Sequence, residues 1–179
     1  MLKQTISMKT MTFIGVFIAM ISVLSQISIP MPTGVPITLQ TFAIALTGFV
    51  LQPKNATLTV LLYILLGLIG IPIFAGFNAG LGALFGKTGG FLIGFLFLAF
   101  FCGLVSPKNN RMLNILYCAI GLIFCHFFGI LQFAFLMKLS LWQSFLFVSA
   151  PFFIKDILSI GIAFSFSKLI NTSLKNMVE

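Results

Sequence analysis

MLNILYCAIGLIFCHFFGILQFAFLM, residues 112–137, contains no aspartate, glutamate, lysine or arginine, and it is bounded by Arg111 and Lys138. A helix rises about 1.5 Å per residue and the hydrocarbon core of a bilayer is about 30 Å thick, so about 20 apolar residues cross it. This run is long enough. Five further apolar runs lie around it, near 10–29, 35–52, 56–74, 88–105 and 152–170; the second is short and holds Gln40. Hydrophobic residues make up 60% of the 179 and charged residues 7%, against about 25% charged in a soluble domain. The expected fold is all-α: a polytopic integral membrane protein of six transmembrane helices, forming a single six-helix bundle domain over residues 1–179. The first run leads through Gln26 to Pro32 into further structure and lacks cleavage-site character, so it is expected to remain in place as a span.

The formal net charge is +8, but the cations sit at segment ends and form no stripe, which argues against a nucleic-acid partner and for membrane lipid as the surroundings. Their distribution sets orientation. With the N-terminus inside, Lys3, Lys9, Lys54, Lys108, Arg111, Lys168 and Lys175 fall on the cytoplasmic side, and Lys87, Lys138 and Lys155 on the outer side. That bias follows the positive-inside rule. Both termini are then cytoplasmic, as an even number of spans requires, in a multi-pass protein of the plasma membrane.

Acidic residues are the rarest feature: Asp156 and Glu179 are the two in the chain. Asp156 lies in PFFIKDILS, residues 151–159, and a carboxylate at the centre of a span costs roughly 2.5–3.5 kcal/mol on insertion scales. Something must offset that cost. Pro151 fits the first turn of the last helix and Ser149 its cap, which would set Asp156 near the positive end of the helix dipole. Two other polar stretches are expected on the same outer side. One is QISIPMPTGVPITLQ, residues 26–40, whose Pro30, Pro32 and Pro36 cannot continue a helix. The other is IPIFAGFNAGLGALFGKTGG, residues 71–90, whose glycines let backbone approach a ligand closely. The cytoplasmic connectors QPKNA and SPKNNR are short and plain.

Two patterns are set aside. GLGALFGKTGG ends like a phosphate-binding loop, but its first glycine position is Leu81, no strand precedes it, and no second acid is at hand to hold magnesium. Hydrolysis of ATP by this chain alone is excluded on that ground, and no cofactor is expected. Cys118, Cys125 and His126 could be read as soft-metal ligands, yet three ligands within one helix do not enclose an ion, and cysteines in apolar runs behave as small hydrophobes. Gly15 and Ala19 in the first span form a small-x-x-x-small pair, which admits a close helix contact, either within the protein or with a partner subunit.

Several stretches, QISIPMPTGVPITLQT, LTGFVLQPKNATLTVLLYILLGLIGIPIFAG, GKTGGFLIGF, GILQF and PFFIKD, resemble the BioY family, from about Met11 to Lys168. These are the biotin-binding substrate-capture subunits (S components) of energy-coupling factor transporters. The resemblance implies a six-helix membrane fold, biotin bound near the outer side, and partners in a transmembrane coupling subunit and two cytoplasmic ATPase subunits. It implies no enzymatic activity. It also assigns Asp156, in P-F-x-x-x-D, and Asn78, in the glycine-rich loop, to the vitamin; Phe74, as an apolar wall, and Gly76, Gln40, Lys87 and Lys155 are this sequence's further candidate binding positions. Biotin's ureido ring offers two N–H donors and one carbonyl acceptor, so a carboxylate and an amide are suitable partners. The chain departs from the family pattern at three places: Ser159 stands where P-F-x-P-G-D-x-x-K has lysine, and Lys87 and Phe91 stand at the proline and tyrosine of G-P-T-G-G-Y. Neighbouring helical residues point about 100° apart, so Lys155 is not expected to take over the role of a lysine three residues after the acid. Lys87 either supplies a cation for the ligand's carboxylate or extends to the interface. Another small vitamin or a biotin precursor remains an alternative ligand. A structural membrane protein, in which Asp156 pairs with Lys155, Lys87 or Lys138, remains an alternative class.

Overall fold

The structure, a computed structural model, describes residues 7–176, with side chains to Ser173. Lys3, Glu179 and the side chain of Lys175 lie outside the described residues. In chain order the elements are α1 (Met8–Gln26), β1 (Ser28–Ile29), β2 (Ile37–Thr38), α2 (Gln40–Leu68), a 3-10 turn (Ala75–Phe77), α3 (Leu81–Leu84), α4 (Gly89–Gly103), α5 (Arg111–Met137), α6 (Leu141–Val148) and α7 (Ala150–Asn176).

The expected second and third runs form the single element α2, yet that element is not one straight rod. Gln40 Nε2 donates to Tyr63 Oη at 3.0 Å, whereas 23 residues of unbroken helix would hold them about 34 Å apart. The chain folds back at Gln52, whose φ of 62° and ψ of 168° are not helical. The sequence explains the position. Pro53 drives the preceding residue out of the helical region and is itself suited to open the next helix. Two antiparallel arms result, residues 40–51 and 53–68.

By length and composition α1 and α5 can each cross a membrane, as the 29 residues of α2 would if unbroken, and the pair α6 and α7, bent by 52° at Ser149, passes the same test if counted as one span; α4 is shorter. The first span ends at Gln26, earlier than expected, because Ile27 enters a small antiparallel ribbon that pairs Ser28 with Thr38 and Ile29 with Ile37. The prolines of this stretch lie between and beside its strands, and Gly34, at φ 81°, closes the turn with its N–H donated to Met31 O at 2.9 Å. The helix α6 was not anticipated. It is opened by a capping box in which Ser140 and Gln143 satisfy one another's backbone N–H groups.

Small residues bring the helices together, as expected where lipid supplies no hydrophobic drive between them. A Cβ on Gly94 of α4 would stand 2.6 Å from Cys125 Cα of α5, and one on Gly90 would stand 2.1 Å from Phe128 O. On its other side α4 meets α2: a Cβ on Gly48 would lie 2.6 Å from Cys102 Cβ, and one on Gly103 would lie 2.5 Å from Pro53 N. The last contact sets the fold-back of α2 beside the end of α4. Ile21, Ile44, Val60, Tyr63, Leu98 and Cys102 are fully buried between these helices, while Phe135, Trp142, Ile154 and Leu169 are exposed. An apolar outside around a tightly packed inside is what a lipid solvent requires.

Candidate functional site

At the end of the bundle away from the α2 fold-back lies a cavity of about 370 Å³, within the range of about 300–1,000 Å³ usual for small-ligand clefts. All three polar stretches contribute to its wall. Val35, Pro36, Thr38 and Gln40 come from the first, Phe74, Asn78 and Lys87 from the second, and Phe152, Lys155 and Asp156 from α7; Phe91 and Cys125 close it from α4 and α5.

Asp156 is in the second turn of α7, past the first turn where the dipole acts strongly, and the dipole is therefore not its main support. Two side chains supply that support instead. The Lys155 ammonium closes on Oδ1, and His126 Nε2 stands 3.2 Å from Oδ2. Lys155 also donates to Thr38 O at 3.0 Å and to Thr41 Oγ1 at 3.4 Å, tying α7 to the start of α2. Backbone direction alone sets adjacent helical residues apart; the long, flexible lysine stem bends back far enough to reach its neighbour. The Asp156 side chain is only 7% exposed and that of Lys155 26%. A carboxylate has about four acceptor positions, so one ammonium and one imidazole leave room for a ligand's N–H groups.

Ser149 was expected to cap α7 with its side chain. Its hydroxyl instead bonds His126 Nδ1 at 2.8 Å, and its carbonyl accepts from Phe152 N and Phe153 N. The imidazole is thereby held by its far nitrogen while Nε2 faces the carboxylate, off the axis of a good hydrogen bond. Phe91 meets the same ring edge to face, centroids 6.0 Å apart. His126 was considered from sequence only as a metal ligand. Among the described residues no three His, Cys, Asp or Glu side chains are grouped to hold an ion.

The other expected positions separate into groups. Gln40 lines the cavity, but its amide is engaged by Tyr63 Oη and Thr38 Oγ1, both 3.0 Å away. Tyr63 in turn donates to Ile73 O at 3.1 Å and meets Phe74 edge to face. Phe74 is buried, its ring packed where Gly67 leaves space. Asn78 is at the cavity wall and exposed, with Nδ2 donating to Ala75 O at 2.7 Å, so one amide hydrogen and Oδ1 remain available. Gly76 does not line the cavity; at φ 68° it shapes the turn that presents Asn78. Ser159 is buried one helical turn beyond Asp156 and is likewise outside the wall. The stretch that resembled a phosphate loop is anchored from α5 by Gln132, whose Nε2 donates to Leu84 O and Gly86 O, each at 2.7 Å. Gly15 and Ala19 are on the outer face of α1, and a Cβ on Gly15 would touch nothing within 4 Å. Among the described residues, Gly15 therefore makes no close helix contact within this chain, and Ala19 is exposed.

Fold and site together define a membrane protein with a ligand-sized cavity, its one described carboxylate on the cavity wall. The BioY family profile matches residues 1–176. A probable biotin transporter BioY of Pyrococcus horikoshii is 34% identical over 155 residues, 87% of this chain and 91% of that protein. The biotin transporter BioY of Rhodobacter capsulatus is 38% identical over 168 residues, 85% and 87% of the two chains. A crystal structure of the S-component for biotin from an ECF-type ABC transporter superposes with a TM-score of 0.82 at 28% identity, covering 92% of this chain and 91% of that one. The chain belongs to the BioY family.

Proposed function

We propose that this chain is the biotin-capture subunit of an energy-coupling factor transporter. It binds biotin from the outer side of the plasma membrane and delivers it inward when a transmembrane coupling subunit and two cytoplasmic ATPase subunits act on it. The observation that carries the reading is the position of Asp156. It is buried, held between Lys155 and His126, and set on the wall of a cavity whose size suits a small vitamin. Family membership and the named relatives supply the vitamin's identity.

In this account the ureido N–H groups donate to Asp156 and the ureido carbonyl accepts from Asn78, while Phe74 and Phe91 flank the bicyclic body. Stretches 26–40 and 71–90 close over the ligand. The chain itself carries out no bond chemistry; ATP is hydrolysed by its partners. The proposed topology is one domain of six spans, namely α1, the two arms of α2, α4, α5 and α7, with both termini cytoplasmic. Impermeant maleimide on intact cells then labels Lys138→Cys and not Lys108→Cys; the reverse pattern inverts the topology.

The binding test is calorimetry on the purified protein in detergent. The expected result is one biotin per chain with thermal stabilisation. No heat and no stabilisation with biotin, alongside stabilisation by another vitamin, moves the assignment to that ligand and leaves the transporter class standing. The departures at Ser159, Lys87 and Phe91 are the features that favour this second ligand reading. No stabilisation by any vitamin turns the account toward a structural role for the Lys155–Asp156 pair.

A further inference from the structure

The charges on the cavity wall do not balance. Its charged side chains are Asp156, Lys155 and Lys87. Lys155 and Asp156 neutralise one another by direct contact. Lys87 stands apart from that pair: among the described residues its ammonium has no carboxylate within 4 Å, and its one hydrogen-bond acceptor is Thr33 O at the long distance of 3.4 Å. A cavity wall with one net positive charge favours a ligand with one negative charge.

The conformation of Lys87 bears on the alternative that it only extends to the interface. Its stem lies across Gly34, where a Cβ would stand 3.2 Å from Lys87 Cδ and 3.3 Å from Nζ. The side chain is half-buried and turned against the ribbon, with its head at the cavity wall. A lysine that extends to the interface also lays its stem on neighbouring surface; what favours the ligand role is that Lys87 lines the cavity. The contact also depends on Gly34, whose φ of 81° few other residues adopt.

Biotin has two recognisable ends, a neutral ureido ring and an ionised carboxylate. Asp156 cannot receive the second, because two carboxylates repel. Resting on the biotin assignment above, we infer that Lys87 binds the ligand's carboxylate and makes this protein select the free acid over its neutral amides and esters. Because the same ammonium contacts Thr33, engagement of the carboxylate also holds the 30–36 turn against the mouth of the cavity.

The test is a cycle of affinities for biotin and biotin carboxamide, measured by calorimetry on the unaltered protein, Lys87→Gln and Lys87→Arg. The carboxamide keeps the ureido end and the ring system and lacks only the charge. The unaltered protein should prefer biotin by about 10- to 100-fold, the scale of a charge-assisted hydrogen bond. Lys87→Gln should bind the two ligands within a few-fold of each other by losing affinity for biotin alone, and Lys87→Arg should keep the preference. Equal affinities in the unaltered protein, or an undiminished preference in Lys87→Gln, overturns the inference while leaving biotin as the ligand. A failure of the unaltered protein to bind biotin is a different result, which removes the ligand assignment and this inference with it. Unchanged binding of the carboxamide by Lys87→Gln serves as the internal check that the variant is folded.

Discussion

His126 on α5 and Asp156 on α7 meet across the helix interface, Nε2 to Oδ2, at 3.2 Å, with Ser149 holding the opposite ring nitrogen at 2.8 Å. The arrangement spans the bend between α6 and α7. It gives the buried carboxylate a second polar neighbour beside Lys155. On the proposed binding role of Asp156, His126 acts as a positioning residue, on the ligand through that carboxylate.

Replacing His126 with Phe keeps most of the ring volume and removes the polar edge. Biotin affinity should fall by about tenfold, roughly 1.4 kcal/mol, less than for loss of the carboxylate itself. Ser149→Ala should move affinity in the same direction by a smaller factor. Calorimetry with both variants decides this, and an unchanged affinity in His126→Phe removes the positioning role.

The fold-back of α2 places a glutamine at φ 62° and ψ 168°, a region open almost only to glycine. Such a residue stores of order 1–3 kcal/mol of strain, while glycine's greater chain entropy costs about 0.5–1 kcal/mol. Gln52→Gly should therefore raise the melting temperature of the purified protein. A lower melting temperature would mean that the Gln52 side chain contributes more than its backbone costs.

Gly15 and Ala19 face outward with open space around Gly15. If this face docks the coupling subunit, Gly15→Leu and Ala19→Leu should abolish biotin uptake in cells and leave biotin affinity in detergent unchanged, because close helix approach is lost far from the cavity. Weakened binding in detergent would tie the face to internal packing, and normal uptake would remove it from the docking surface.

Much of the architecture could be read from hydropathy and proline. The runs at 88–105 and 112–137 coincide closely with α4 and α5, and the prolines between residues 30 and 36 mark the non-helical ribbon. The break at Gln52 was legible as the connector QPKNA, but its tightness was not: Lys54 and Asn55 look like loop residues and are helical, because Pro53 starts the second arm at once. The helix α6 escaped because LWQSFLFV is as apolar as the spans around it and only the capping Ser140 and Gln143 mark its start. In the site, Asp156 was conspicuous as a lone acid in an apolar run. His126 was not, since its significance depends on α5 and α7 meeting at Asp156 and Phe153, and single-helix periodicity carries no information about which helices become neighbours. The contact of Lys155 with Asp156 was legible only as one of three pairings, beside Lys87 and Lys138, under the structural alternative. Helical geometry fixes where a side chain leaves the backbone, and a four-carbon stem can undo that direction.

If Asp156 is retained to accept hydrogen bonds from a ligand, Asp156→Asn will reveal it when stability without ligand and affinity with ligand are measured on the same purified protein. An amide at this position keeps one acceptor oxygen and turns a donor toward the ligand's N–H groups. Affinity for biotin should fall by about ten- to over a hundredfold, the worth of a charge-assisted hydrogen bond of about 1.5–3 kcal/mol. The melting temperature of the empty protein should change little, because Lys155 keeps Thr38 O and Thr41 Oγ1 as acceptors and is 26% exposed, so it is not stranded in a dry site. A variant that melts well below the unaltered protein, and whose folded fraction binds biotin with unchanged affinity, would contradict the claim and leave Asp156 as half of a structural ion pair.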